Sequence, residues 1–411
     1  MNVSSCGHLA PAAGARVCAH LTTDNGPGCF RVLTGVATRY DLLCQACADA
    51  ETPELLEACV GCFERAESVA YLGWRGDPGI LRRDRDLGGT WTTTPCAITP
   101  LNDRCLAPLP DGWLALTAAG LAGTDGEPRL AGPVDLPPEP PEEWAGHVRG
   151  PALYTSGDGR FAAVVTDHGR HGAVVDLGSG VVTLALDRQD YHTETTRFPV
   201  AFVNAGTGPL VVTATDWNRL DVFDAATGRL LTDRVTTREE NPEHYFDYFF
   251  GALLPSPSGR SLLVDGWAWH PVGIPLALDF QAWLAGDRHA PEHGRMLADR
   301  GYSWNTPMAW IGEDTVALQG IGDDEPMLEG VELRDAGGDS RLGMFAGPAG
   351  PMWGHGGLLY VTAEAGFEVW DPADGARIGF AEGFRPTAHD PATGAFAELR
   401  NDQLRIWAPV G

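Results

Sequence analysis

Beyond about Tyr71 the chain is a succession of short apolar runs broken by Gly, Asp and Ser. Runs of this length bounded by turn residues read as strands. One phrase recurs: an apolar run, Asp, two or three small residues, Gly, a second apolar run. It stands at Val174-Val175-Asp176-Leu177-Gly178-Ser179-Gly180-Val181-Val182 and at Val222-Phe223-Asp224-Ala225-Ala226-Thr227-Gly228-Arg229-Leu230. It returns at Val369-Trp370-Asp371-Pro372-Ala373-Asp374-Gly375-Ala376-Arg377-Ile378. Asp starts such a turn by accepting from amides two residues on, and Gly supplies the positive φ that closes a hairpin. A second phrase precedes it, Ser156-Gly157-Asp158-Gly159-Arg160 and Ser256-Pro257-Ser258-Gly259-Arg260, each followed by an apolar run. The copies recur at roughly 50 residues or a multiple of it, a propeller-like period.

Strands traced between these turns form seven units, near 97–135, 151–187, 198–233, 251–284, 307–346, 350–381 and 385–408. Each holds about four strands. The last is one short, and Thr90-Trp91-Thr92-Thr93-Thr94 is expected to supply the missing strand from the other end of the region. Closing the ring in this way removes the open sheet edges that template aggregation. The fold expected is mainly β: a seven-bladed β-propeller closed by N- and C-terminal strands, over residues 89–411. A small α+β head occupies 1–66, and 67–88 reads as a linker. Pro133 to Glu143, rich in Pro and Glu, reads as a long connection between two units.

The Asp-Ala-Ala-Thr-Gly-Arg and Trp-Asp-Pro-Ala-Asp-Gly phrases resemble the blade hairpins of WD40-like and YVTN-like bacterial β-propellers. The resemblance runs from about Trp91 to Trp407. It implies the fold and says little of function, because propellers host binding and catalysis alike. The regular Gly-His and Trp-Asp pair of strict WD40 repeats is missing; only Trp370-Asp371 resembles its second half.

Seven of the nine cysteines lie between Cys6 and Cys62. The pattern is Cys6-x-His8, Cys18-x-His20, Cys44-x2-Cys47 and Cys59-x2-Cys62, four chelating pairs. Zinc takes four thiolate or imidazole ligands tetrahedrally, and a closely spaced pair supplies two from one turn. Eight ligands suit one or two structural Zn2+ ions. The head is too poor in large apolar residues to fold on its own core, so metal binding would supply most of its stability. The pairing stays open. The first pair could share an ion with the third, or the two Cys-x-His pairs could share one ion and the two Cys-x2-Cys pairs the other. Cys29 reads as a buried thiol in a strand, with Cys96 and Cys105 as core thiols. The spacing resembles RING-like and zinc-ribbon modules and implies no ligase activity.

Charge narrows the function. Acidic residues number 55 and basic ones 29, a net charge of −26. Such a chain repels nucleic acid and anionic membrane, and neither is expected as a partner. Every basic residue is Arg, which removes lysine chemistry. The first residues lack a signal-peptide pattern, and with so many cysteines this points to a cytoplasmic protein.

In a four-stranded blade, the loops joining strands 1 to 2 and 3 to 4 lie on one face. Those joining strands 2 to 3 and blade to blade lie on the other. Here the first set is minimal turns, while the second gathers His, Trp, Tyr and carboxylates. Candidate binding residues are His168, His171, Tyr191, His192, Trp217, His244, Tyr245, Asp247, Trp269, His270 and Trp304. Aromatic and ionisable side chains on loops held by a rigid scaffold are a usual seat of binding. The expectation is a non-catalytic interaction module whose decorated face takes a protein or peptide, an Arg-rich one suiting an acidic, aromatic surface. The alternative is a metal-dependent propeller hydrolase or lyase with a His/Asp site at the channel mouth. No catalytic motif such as Gly-x-Ser-x-Gly or His-Glu-x-x-His is present.

Overall fold

The computed structural model describes residues 15–22, 27–33, 35–50, 53–74, 80–139, 147–204, 206, 208–236, 238–322, 327–338 and 340–409. The chain after residue 89 forms a seven-bladed β-propeller, and a small α+β head precedes it. Alternating apolar positions build the blades. Along Phe161–Asp167 and His171–Asp176 nearly every residue is buried, because a central blade strand is covered on both faces by neighbouring blades.

Four blades are plain or nearly plain antiparallel meanders. Blade 1 runs through Leu106–Leu109, Gly112–Thr117, Gly120–Gly123 and Pro128–Ala131. Blade 2 holds Gly150–Thr155, Phe161–Asp167, His171–Asp176 and Val181–Asp187. Blade 5 holds Met308–Trp310, Thr315–Ile321, Leu328–Asp335 and Arg341–Ala346. Blade 7 holds Ala388–His389, Phe396–Arg400 and Gln403–Ala408, and its fourth strand is Thr90–Pro95, paired antiparallel from Trp407↔Trp91 to Gln403↔Pro95. The threonine-rich run therefore closes the ring.

The other three blades depart from the four-strand expectation. Blade 3 has only Val200–Asn204, Pro209–Asp216 and Arg219–Asp224. In place of a fourth strand, a single antiparallel bridge of Phe223 with Leu230 and two side chains cap the outer edge. Leu231 N–H donates to Val222 O (2.8 Å), Thr232 Oγ1 accepts from Val222 N–H (2.9 Å), and the Arg234 guanidinium donates to Leu220 O (2.8 Å). Blade 4 has six strands, adding Arg295–Met296 and Arg300–Gly301 to Phe249–Pro255, Ser261–Ala268, Val272–Gly273 and Leu276–Asp279. Blade 6 (Met352–His355, Leu358–Thr362, Gly366–Asp371, Ala376–Glu382) gains a fifth, parallel strand, Arg82–Arg85. That strand comes from the stretch read as a linker and is fastened by Arg377, whose Nε and Nη2 reach the Asp84 carboxylate at 2.9 and 2.7 Å.

Closure is also visible in the core. An apolar cluster lies between every successive pair of blades, including blade 7 against blade 1 through Cys96, Trp113, Ala388 and Leu404. Neighbouring inner strands come close enough that only glycine fits at Gly354, where a Cβ would collide with the Trp310 carbonyl.

The head is a five-stranded sheet in the order Leu55–Glu57, Arg16–Cys18, Asp41–Cys44, Cys29–Val32, Tyr71–Trp74, with the helix Val60–Ala70 against it. Cys29 is buried in the head core, and Cys96 and Cys105 in the propeller core. The head rests on blade 5. Ala37 and Met344 exchange two backbone hydrogen bonds (3.1 and 2.9 Å), and Leu33 packs with Ile321, Met344 and Ala346. Among the described residues no helix is long and apolar enough to cross a membrane.

Candidate functional site

The head brings four of the eight expected ligands together. Arg16–Cys18 and Asp41–Cys44 run parallel, with Val17 opposite Leu42, so both strands end side by side. Cys18 ends one strand and His20 follows in a short 3-10 turn, Ala19–Thr22. Cys44 ends the other and Cys47 lies one turn on, in the short helix Gln45–Ala48. The ligand atoms of Cys18, His20, Cys44 and Cys47 all lie within 4.8 Å of one another and could hold a metal ion. His20 Nδ1 is 3.2 Å from Cys47 Sγ and 3.7 Å from Cys44 Sγ, and Cys44 N–H points at Cys18 Sγ (3.3 Å).

The electrostatics suit a cation. Burial opposes ionisation of Cys44, but the N–H groups of Cys47 and Ala46 and the thiols of Cys47 and Cys18 outweigh it and lower its pKa. Cys47 is pushed up to about 12, by burial first and then by Cys44 and Cys18. Without a cation, adjacent thiols compete for one negative charge; a metal ion removes that conflict. The pairing is neither alternative read from the spacing: the second Cys-x-His pair joins the first Cys-x2-Cys pair. Cys59 caps the helix Val60–Ala70 and Cys62 lies in its first turn, both outside the tetrad. Cys6 and His8 lie outside the described residues.

On the propeller, loops from blades 2, 3 and 4 meet in a continuous aromatic cluster. Its floor is Phe249, stacked on the buried Trp267 at 4.1 Å between ring centroids. Around Phe249 stand Trp217 (4.5 Å), Trp269 (5.5 Å), Tyr191 (5.7 Å) and His192 (6.0 Å). Tyr245 reaches Trp217 at 6.4 Å, and Trp304 stacks on Trp267 at 5.0 Å. Trp267 and Trp304 are fixed by their indole N–H groups, which donate to Thr195 Oγ1 (3.1 Å) and Thr195 O (2.9 Å). Tyr191 and Trp269 remain 45% and 43% exposed. Carboxylates surround the cluster. Burial raises the Asp216 pKa and the charges of Asp187 and Asp190 raise it further; Tyr245 is raised by burial and by Asp247.

Six of the eleven face residues, Tyr191, His192, Trp217, Tyr245, Trp269 and Trp304, thus share one surface. Of the other five, Asp247 acts on Tyr245 at the edge of this surface, and the four histidines go elsewhere. His168 is buried, stacks on His147 at 4.5 Å and pairs through Nδ1 with Glu194 O (3.0 Å). Burial, then His147, lowers its pKa to about 4, so at neutral pH it is an uncharged donor to a carbonyl. His171 faces Glu139, 3.5 Å away. His244 stacks on His289 at 3.6 Å with His293 nearby. Asp247 and His270 are exposed, the latter at a positive φ of 101°. Phe249, His147 and Asn305 were not foreseen. Phe249 reads as an ordinary strand residue, and nothing local to His147 or Asn305 announces their long-range contacts.

No protein-family model matches the chain, and no curated protein matches it. Solved structures similar to it include a chain of "Crystal Structure of Mitotic Checkpoint Complex", at 10% identity and TM-score 0.47 over 80% of this chain and 98% of that one. The Myceliophteria thermophila Cps50 (Swd1) β-propeller domain is 12% identical, with TM-score 0.38 over 78% of this chain and 100% of that one. A chain of Kuenenia stuttgartiensis hydrazine synthase is 13% identical, with TM-score 0.40 over 65% of this chain and 82% of that one. The likeness is in architecture: the chain is a seven-bladed β-propeller with a Cys/His-bearing head.

Proposed function

We propose that the protein is a non-catalytic interaction module whose aromatic surface on blades 2–4 binds a protein or peptide rich in arginine. The observation that carries this reading is the cluster around Phe249, with Tyr191 and Trp269 exposed and Asp190, Asp216 and Asp247 about it, while Asp187 is already paired with Arg170. Indole and phenol faces attract guanidinium, and surrounding carboxylates add charge complementarity. The net charge of −26 supports a cationic partner rather than nucleic acid or an anionic membrane. The dispersion of His168, His171, His244 and His270 among four settings favours binding over the hydrolase or lyase alternative.

The head serves as a staple. Cys18, His20, Cys44 and Cys47 fit a closed tetrahedral Zn2+ site, which leaves no coordination position for a substrate. Cys59 and Cys62, with Cys6 and His8, make up the donors for a second ion. The reduced thiols suit a cytoplasmic setting.

A pull-down tests the face. Tyr191→Ala with Trp269→Ala removes two exposed rings without opening the core, and should abolish capture of the principal partner. An unchanged set of captured proteins would contradict the assignment. In the same preparations, elemental analysis should find zinc, and Cys44→Ser with Cys47→Ser should lower it by at least one equivalent.

A further inference from the structure

An arginine taken from water without an acceptor is costly, so buried guanidinium groups are normally matched. Arg188 gives its donors to the carbonyls of Gly169, Thr193, Thr196 and Arg197 and to the Thr196 hydroxyl. Arg234 spans Asp221 and Glu292. Arg197 is different. Its backbone is clamped on both sides, N–H to Asn305 Oδ1 (3.2 Å) and carbonyl from Arg188 Nη1 (3.3 Å). The residue is half-buried, and its guanidinium has no hydrogen-bond acceptor, ion-pair partner or aromatic ring among the described residues.

A second unmatched donor stands beside it, and the hydrogen-bond network fixes its identity. Asn305 Oδ1 accepts from Arg197 and Nδ2 donates to Thr195 O (2.8 Å), so the amide orientation is set. The remaining Nδ2 hydrogen points at His147 Nε2, 3.2 Å away, which must accept. The neutral His147 ring therefore carries its proton on Nδ1, where it meets no acceptor among the described residues. The Arg197 charge helps to hold His147 neutral, after burial. His147, Arg197 and Asn305 each lie just before the inner strand of a blade, in blades 2, 3 and 5. Asn305 ties the other two together, accepting from Arg197 N–H and donating to His147 Nε2, and the inner strands that follow line the central channel. Asp265, a carboxyl on which the Arg197 charge acts, is wholly buried, accepts from Asn305 N–H (2.9 Å) and is pushed up to about 7 by burial.

We propose that this cluster is an oxyanion site, with the Arg197 guanidinium and His147 Nδ1–H donating to one carboxylate or phosphate group. A planar guanidinium beside a neutral imidazole donor suits both anions. The proposal stands apart from the aromatic surface and does not require that surface to bind a peptide.

Thermal unfolding of the full chain at constant ionic strength tests it, with inorganic phosphate, acetate and chloride compared. Phosphate or acetate should raise Tm of the wild type by a few degrees over chloride, and Arg197→Gln should remove at least nine-tenths of the rise. The exposed control Arg260→Gln should keep it. A response to acetate assigns a carboxylate, such as one on a bound partner; a response to phosphate alone assigns a free dianion. Should Arg197→Gln fold poorly, His147→Asn provides a second reading and should weaken binding about 10-fold, the value of one charge-assisted hydrogen bond. Equal wild-type responses to all three salts, or an Arg197→Gln response matching the wild type, would overturn the proposal.

Discussion

At the scale of single residues, several ionisable groups are held away from their ordinary pKa, and the signs oppose one another. Burial lowers His168 to about 4 and His389 to about 3. Below pH ~6.5 the unfolded chain protonates both histidines while the folded chain resists. Their contribution is therefore complete above that pH and is lost as pH falls toward 4 and then 3. Asp265 runs the other way. Raised by burial to about 7, it contributes most below pH ~4, and that contribution is lost as pH rises through 7. Urea unfolding from pH 4 to 8 should give a midpoint that falls on both sides. Asp265→Asn should flatten the alkaline limb and His389→Asn the acid limb; limbs unchanged by both substitutions would contradict these assignments. Of the residue-scale detail, the turn aspartates were legible, because an Asx turn is local: Asp176 Oδ1 accepts from Gly178 and Ser179, as the phrase implied. His147 and Asn305 were not, because they meet each other 158 residues apart and Asn305 reaches Thr195 110 residues away, contacts set by blade geometry.

At the scale of elements, blades 3, 4, 6 and 7 each treat the outer edge differently. The ring-closing strand was legible, since Thr90–Pro95 is strand-forming and the last unit lacked a strand. Blade 3's missing strand was not, because Thr232 and the fully buried Arg234 replace a hydrogen-bonded ladder and no periodicity records that. Nor was the fifth strand of blade 6, since Arg82-Arg83-Asp84-Arg85 carries no apolar signal and is held by ion pairs. Within blade 7, Trp407 is 2% exposed, sits among Tyr360, Phe367 and Phe396 of blades 6 and 7, and donates to Gly88 O (3.0 Å). Trp407→Ala should cost about 3–5 kcal/mol, and Trp91→Ala, half out in solvent, about 1 kcal/mol or less, by guanidinium unfolding. Equal costs would place the closure elsewhere than in the packed face of these strands.

At the scale of the whole molecule, the ring is what turns separated loops into one surface. Tyr191 and Trp304 are far apart in sequence, yet blades 2, 3 and 4 bring their loops against a common floor at Phe249 and Trp267. Alternation of loops between the two faces made this asymmetry readable in the sequence. It did not separate exposed rings from the histidines that turn inward to stack on one another, because that depends on tertiary neighbours. The head is docked on blade 5 through Leu33, Ala37 and Met344. The most direct test of the binding surface is calorimetric titration of two peptides of equal charge, one arginine-rich and one lysine-rich, into wild type and Trp269→Ala. The arginine peptide should bind the wild type more tightly, and Trp269→Ala should weaken it by about 2 kcal/mol, roughly 30-fold. Equal affinity for both peptides, with no change in Trp269→Ala, would contradict the account.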